Sequence, residues 1–251
     1  MPTFCVIGCD DSKAWDPLSF GDMFTSKLHV EGDEWLHVNI ARGDPLPDMS
    51  GIAGIVLTGS RFNVRDQLPW FEILGSVILE AADTGRLRVY GGCFGCQFIC
   101  HVLGGRIGQN PEEKFVLKNE RITVNRDELA TLCCSVRCCC CGPDCCCSDF
   151  QLIESHGDCI SELPPKAIPL ATSPSCCHEM FLAGANKNIL CCQAHPEFDL
   201  QYCIHERIFP AVCKSGRLSE EEKQESLSSF EAYSPADSAR MMRIISEFLH
   251  L

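Results

Sequence analysis

The sequence predicts an α/β fold built on a mostly parallel central sheet. Three observations predict it: apolar runs alternate with helical patterns through the first third, a glycine-flanked cysteine sits between one such run and a helical segment, and the composition suits a single core. The 251 residues are 45% hydrophobic and 22% charged, the balance of a globular chain long enough to close one sizeable core.

Taken in order, FCVIGC (4–9) reads as the first strand, an amphipathic stretch near 19–30 as the first helix, and WLHVNI (35–40) and GIVLTG (54–59) as further strands. Strands separated by helical patterns imply crossover connections and hence parallel pairing. Leu68, Phe71, Leu74, Ile78 and Ala81 recur every three or four residues and mark one face of a helix ending at Gly85. LRVYGG (87–92) follows as a buried strand, and FGCQFICHVLGG after it has a helix's length, with Gly104 and Gly105 as its stop. Cys93 falls at their junction.

KFVLKNERITV (114–124), FQLIES (150–155), CHEMFLAG (177–184) and NILCCQAHP (188–196) read as later strands. Several are expected to be antiparallel, because their connections are too short for crossover helices. From Asp199 to Leu251 the signals are helical: a Ser219 to Glu222 capping box, Ser234-Pro235 as cap and first-turn proline, and an apolar face of Met241, Ile244, Ile245, Phe248 and Leu249 that should pack against the sheet. The expected organisation is one domain over 1–251, with a core at 1–198, a helical tail at 199–251 and an insertion-like cysteine-rich segment at 132–147.

A formal net charge of -13 and a pI near 5.0 argue against phosphate backbones and anionic lipid as partners. No run approaches the ~20 apolar residues of a bilayer span. The opening MPTFCVIGCDD lacks a basic n-region and reads better as a strand than as a signal peptide. Twenty-one cysteines in a short secreted chain would suggest a disulfide scaffold, but a long chain with ample core formers fits reduced thiols in the cytosol better.

GGCFG (91–95) has the arrangement of a nucleophile elbow: a reactive side chain on a sharp strand-to-helix turn, with small neighbours that avoid clashes. The helix that begins after Cys93 aims its free N–H groups and positive dipole end at the sulfur, which favours thiolate. The N–H of Phe94 is placed to serve as one oxyanion donor, and the Gly59-Ser60 loop at the end of a neighbouring strand could supply a second. On the local motif alone, a buried structural thiol is an equal alternative.

The second motif changes that balance. In CCQAHPEF (191–198) a buried strand runs out into His195-Pro196-Glu197. Residues two apart on extended chain face one side, so Glu197 could hold His195 in the tautomer that accepts a thiol proton. Taken alone, a His-x-Glu is more often a solvated pair at a strand end. His156, in ESHGD, also ends a strand and is kept as a substrate-side or supporting residue.

The ordered set LTGS, YGGCFGCQ, SHGD and QAHPEF resembles the class I glutamine amidotransferase superfamily, whose nucleophile motif is G-x-C-x-G-x-Q and whose base motif is H-P-E. The likeness covers nearly the whole chain. ELPPKA (162–167), EMF (179–181) and the helical tail look most like the stand-alone branch that contains the plant γ-glutamyl peptidases.

The resemblance implies a flavodoxin-like three-layer sandwich and attack on a γ-glutamyl amide through a glutamyl thioester that water resolves. It puts Cys93 on the nucleophile, His195 on the base, Glu197 on the third triad position, and Gly59 and Phe94 on the oxyanion hole. Gln97, Ser155 and His156 are the expected substrate-binding residues. The substrate is expected to be glutamine or a γ-glutamyl peptide, with neither cofactor nor metal required. The chain carries no P-loop, so stand-alone hydrolysis is preferred, although a separate synthetase subunit could exist. The leaving group depends on the loops around Asn63, Arg65 and the 156–158 turn, whose geometry pattern reading does not fix.

Three departures open alternatives. Gly92 stands where a bulky aliphatic is usual and lowers strand stability by roughly 1 kcal/mol. Cys96, three residues from Cys93, could form a disulfide that silences the nucleophile, against its reading as a small packing residue. The run 132–147 holds nine cysteines without regular finger spacing, a lineage-specific loop rather than a structural metal site. The alternatives are therefore a silent binder of γ-glutamyl ligands and a thiol-based metal or redox sensor using residues 133–147.

Overall fold

Alternation within the first strand sets up the layers. Phe4 and Val6 go to one buried cluster and Cys5 and Ile7 to another, because successive side chains on a strand face opposite sides of the sheet. The computed structural model describes residues 1–15, 19–135 and 148–251. Its strands are β1 (Thr3–Gly8), β2 (Glu34–Asn39), β3 (Gly54–Leu57), β4 (Arg88–Gly92), β5 (Arg106–Gln109), β6 (Val116–Val124), β7 (Phe150–His156), β8 (Asp158–Glu162), β9 (Ile168–Thr172), β10 (Met180–Ala183) and β11 (Ile189–Cys192).

Nine strands form one sheet in the order β2-β1-β3-β4-β11-β10-β9-β6-β7, and β5 pairs with β8 in a separate ribbon. The first five are joined by parallel pairs, and the remaining four by antiparallel ones. Only β10 and β6 therefore oppose the other seven strands, which makes the sheet mixed but mostly parallel.

The helices are α1 (Phe20–Leu28), α2 (Pro69–Thr84), α3 (Phe94–Val102), α4 (Arg126–Ser135), α5 (Phe209–Lys214), α6 (Glu220–Phe230) and α7 (Pro235–Leu249), with a π-helical segment over Leu200–Ile208. One face of the sheet buries Phe24 and Leu28 of α1 and Met241, Ile244, Ile245, Phe248 and Leu249 of α7. The other buries Leu74 and Ile78 of α2 with Phe94, Phe98 and Ile99 of α3. That is a three-layer α/β sandwich with C-terminal helices.

Local chemistry explains where the helices stop and start. Ser19 and Asp22 close a capping box on α1, as Ser219 and Glu222 do on α6. Gly85 ends α2 at φ 65°, a left-handed conformation that a residue with a Cβ resists. Asp237, in the first turn of α7, accepts the Gln151 N–H of edge strand β7 at 2.9 Å. The end of the chain thereby satisfies backbone that would otherwise face no partner.

The ribbon strands, β9 and α4 were not among the expected elements. Residues 136–147 lie outside the described residues, and with them the sensor reading of the cysteine-rich run. Among the described residues, no helix is long and apolar enough to cross a membrane.

Candidate active site

Cys93 is the only residue between β4 and α3, and the turn it makes is tight enough to dictate its neighbours. Its backbone takes φ 50°, ψ -106°, a conformation that strains any residue with a side chain. A Cβ on Gly95 would lie 2.6 Å from the Leu57 carbonyl oxygen, and one on Gly91 would lie 2.6 Å from Ile99 Cδ1. Both glycines are required by contact. Gly92 is different, since a Cβ there would meet nothing closer than 3.5 Å.

The adjacent parallel strand delivers the histidine. Cys192 pairs with Gly92, the Cys93 N–H donates to the Cys192 carbonyl at 2.9 Å, and three residues later His195 folds over the sulfur. Its N–H donates to Ile153 of β7 at 2.9 Å, and its ring stacks on Phe198 at 4.1 Å and 5°. His195 Nδ1 lies 2.7 Å from Glu197 Oε1. A carboxylate only accepts, so Nδ1 carries the proton there and Nε2 is left for the thiol. The imidazole and the Cys93 side chain lie against the same face of Gly59, and the charge of each acts on the other.

Cys93, His195 and Glu197 are 7%, 4% and 1% exposed, so their mutual electrostatics are little screened. Burial pushes the His195 pKa down, but the neighbouring charges of Cys93 and Glu197, with their hydrogen bonds, outweigh it and hold the imidazolium well above its usual range. The Lys27 ammonium donates to the Glu197 carbonyl at 2.8 Å and fixes the turn from outside.

Gly59 faces both groups: a Cβ there would lie 3.2 Å from His195 Cε1 and 3.7 Å from Cys93 Cβ. Phe94 opens α3, so its N–H has no partner within the helix. Cys93, Phe94, Gln97, Ser155 and His156 line one cavity of about 470 Å³, together with Phe115, Asp158 and Arg217. The cavity opens at the C-terminal ends of the parallel strands, where ligands of open α/β sheets collect. Another depression, about 390 Å³ beside α2, is lined by neither cysteine nor histidine.

The expected substrate residues differ in what they leave free. Both N–H groups of Gln97 are engaged, by the Asp158 carbonyl at 2.8 Å and Gln193 Oε1 at 2.9 Å, so only its oxygen remains for a ligand. The Ser155 carbonyl lies 3.9 Å from the Cys93 sulfur. His156 Nε2 sits 3.2 Å from Ser175 Oγ, while Nδ1 is buried with no partner. Asn63 and Arg65 both bind the Asp158 carboxylate and so brace the cavity wall.

Cys96 is buried, and burial, followed by its neighbour Cys191, pushes its pKa well up. Arg217, Phe115 and Asp158 were not singled out as individual site residues. Arg217 comes from the tail and stacks over the Phe115 ring at 5.2 Å, a long-range placement without a local sequence signal.

A model of the family "Glutamine amidotransferase class-I" matches residues 49–211. Gamma-glutamyl peptidase 2 of Arabidopsis thaliana is 26% identical over 91% of this chain and 86% of its own length. Gamma-glutamyl peptidase 3 of the same plant is 29% identical over 71% and 68%. In fold, the chain is similar to a glutamine amidotransferase of Thermotoga maritima (TM-score 0.73, 15% identity, 100% of this chain and 99% of that one). It is also similar to one of Methylobacillus flagellatus (TM-score 0.70, 20% identity, 99% and 92%).

Proposed function

The chain belongs to the class I glutamine amidotransferase family, and from that premise we propose that it is a free-standing cytosolic hydrolase of γ-glutamyl amide bonds that uses a Cys93-His195-Glu197 triad. The observation that carries the proposal is His195, whose Nδ1 meets the Glu197 carboxylate at 2.7 Å and whose ring shares the Gly59 corner with Cys93. Free-standing action is favoured by relatives named as peptidases that match over most of their length. The free thiols of the described cysteines suit a reducing compartment.

In the proposed reaction His195 Nε2 already carries the Cys93 proton, and the thiolate attacks the γ-carbonyl carbon. The N–H groups of Phe94 and Gly59 receive the oxyanion. The imidazolium then protonates the amine, the C–N bond breaks, and a glutamyl thioester remains on Cys93. Water, deprotonated by the same imidazole, attacks the thioester, and glutamate leaves as the thiol is restored. Glu197 keeps the imidazole in the required tautomer throughout.

Gln97, Ser155 and His156 hold the γ-glutamyl portion, with the unpartnered His156 Nδ1 and the Gln97 oxygen as acceptors for its ammonium. Arg217 places a cation on the cavity rim, which suits a leaving portion that ends in a carboxylate. A peptide of the glutathione type therefore fits better than glutamine.

Product analysis with glutamine, glutathione and a glutathione S-conjugate side by side tests the substrate, with release of glutamate from a peptide expected. Cys93→Ala and Cys93→Ser should retain the fold and lose hydrolysis by at least ~10³-fold. Full activity in either variant, or no labelling of wild-type Cys93 by a glutamine-analogue electrophile, would leave a binding protein instead.

A further inference from the structure

Behind His195 lies a set of buried acids that the proposed chemistry does not use. Glu179, just before β10, is 0% exposed, as is Glu154 of β7. Burying a carboxyl costs several kcal/mol unless its oxygens are satisfied, and an apolar side chain would fill the space more cheaply. What Glu179 touches accounts for its presence.

Its Oε1 accepts the Ala194 N–H at 2.7 Å and faces the Cys192 thiol at 3.8 Å. Its main-chain carbonyl accepts the Gln193 N–H at 2.8 Å. The last residue of β11 and both residues that separate it from His195 are therefore tied to this one side chain and its backbone. The second oxygen, Oε2, accepts from Ser173 at 3.2 Å. Upstream, the Cys93 N–H to Cys192 carbonyl bond fixes the register of nucleophile strand against base strand. Glu179 then governs the path the chain takes from that register to the imidazole.

Glu154 is the second buried acid of the set. Its Oε2 lies 3.3 Å from His156 Nε2 on the cavity wall. Burial pushes both acids well above the usual carboxylate range, and a neighbouring acid adds to it, Glu120 for Glu154 and Glu154 for Glu179.

We propose that Glu179 is a positioning residue: by holding the 192–194 peptide it sets the distance and angle of His195 over Cys93. The proposal rests on Cys93 being the nucleophile.

The test compares two near-isosteric variants of the full chain. Glu179→Gln keeps an oxygen for the Ala194 N–H, whereas Glu179→Met does not. With γ-glutamyl-p-nitroanilide, Glu179→Met should lower kcat by about 30- to 100-fold with KM within about two-fold, the scale of a small misplacement of a reacting group, and Glu179→Gln should restore kcat to within about three-fold of wild type. Iodoacetamide alkylation, followed on the Cys93 peptide by mass spectrometry, should slow by about ten-fold in Glu179→Met alone.

Wild-type kcat in Glu179→Met, equal loss in both variants, or a change confined to KM would overturn the proposal. Where wild type turns over no γ-glutamyl compound, the hydrolase reading fails and the alkylation comparison alone decides the role of Glu179. Should Glu179→Met not fold, Ser173→Ala takes its place: kcat about three-fold down at unchanged KM supports the positioning role, and unchanged kcat overturns it.

Discussion

The two halves of the sheet bury different chemistry. The parallel half, β2-β1-β3-β4-β11, buries apolar side chains on both faces and presents the candidate nucleophile at its C-terminal edge. The antiparallel half, β10-β9-β6-β7, buries Glu120, Glu154 and His156, with Glu179 entering β10. Cys93 and His195 emerge from β4 and β11 inside the parallel half, yet the His195 N–H is held by Ile153 and the adjacent Ala194 N–H by Glu179, both of the other half. One half supplies the reactive groups, and the other aims them.

The largest effect that would break this division, after loss of Cys93 itself, is expected from the orienting carboxylate. Glu197→Gln should lower kcat by ~10²- to 10³-fold while leaving the thermal midpoint near that of wild type, measured by steady-state kinetics and a melting curve. A small loss would mean that the His195 tautomer is set from elsewhere.

Gly95→Ala tests the parallel half. Its Cβ would press on backbone at 2.6 Å, with no flexible side chain to yield, so a stability loss of about 1–3 kcal/mol is expected in denaturant unfolding.

Legibility in the sequence follows the same division. Buried parallel strands are short apolar runs, and FCVIGC, GIVLTG and LRVYGG overlap β1, β3 and β4 within a residue or two. The elbow is readable because Gly91 and Gly95 are dictated by close contact. The tail is readable because the capping residues Ser219 and Ser234 and the apolar spacing of α7 are local signals. RIGQ, DCISE and IPLAT escape notice because they are short and partly polar, or carry a proline. The role of Glu179 is hidden for a different reason: strand alternation says which face a residue takes, not that a carboxyl there will find an amide fifteen residues away.

The acids of the antiparallel half also carry a pH signature. Burial raises the folded-state pKa of Glu154 well above 4.5. Its stabilising contribution is complete below the unfolded value near 4.5 and is lost as pH rises towards the folded one. His195, also raised in the folded state, contributes in the same direction above its unfolded value near 6.5. Glu154→Gln removes the first of these contributions, so its melting temperature should gain on wild type progressively between about pH 5 and pH 8. A constant difference across that range would mean that Glu154 is ionised in the folded protein.

The smallest effect expected is a gain. Gly92 has room for a methyl group beside Phe24 and Tyr90, and Gly92→Ala should stabilise by about 0.5 kcal/mol in equilibrium unfolding through the reduced freedom of the unfolded chain.

Trapping of the acyl-enzyme bears most directly on the chemistry. Wild-type protein mixed with a γ-glutamyl peptide and quenched in acid within milliseconds should carry the mass of one glutamyl group, located by peptide mapping on Cys93 and absent from Cys93→Ala. Turnover without such an adduct, or an adduct on another cysteine, would contradict a thioester on Cys93.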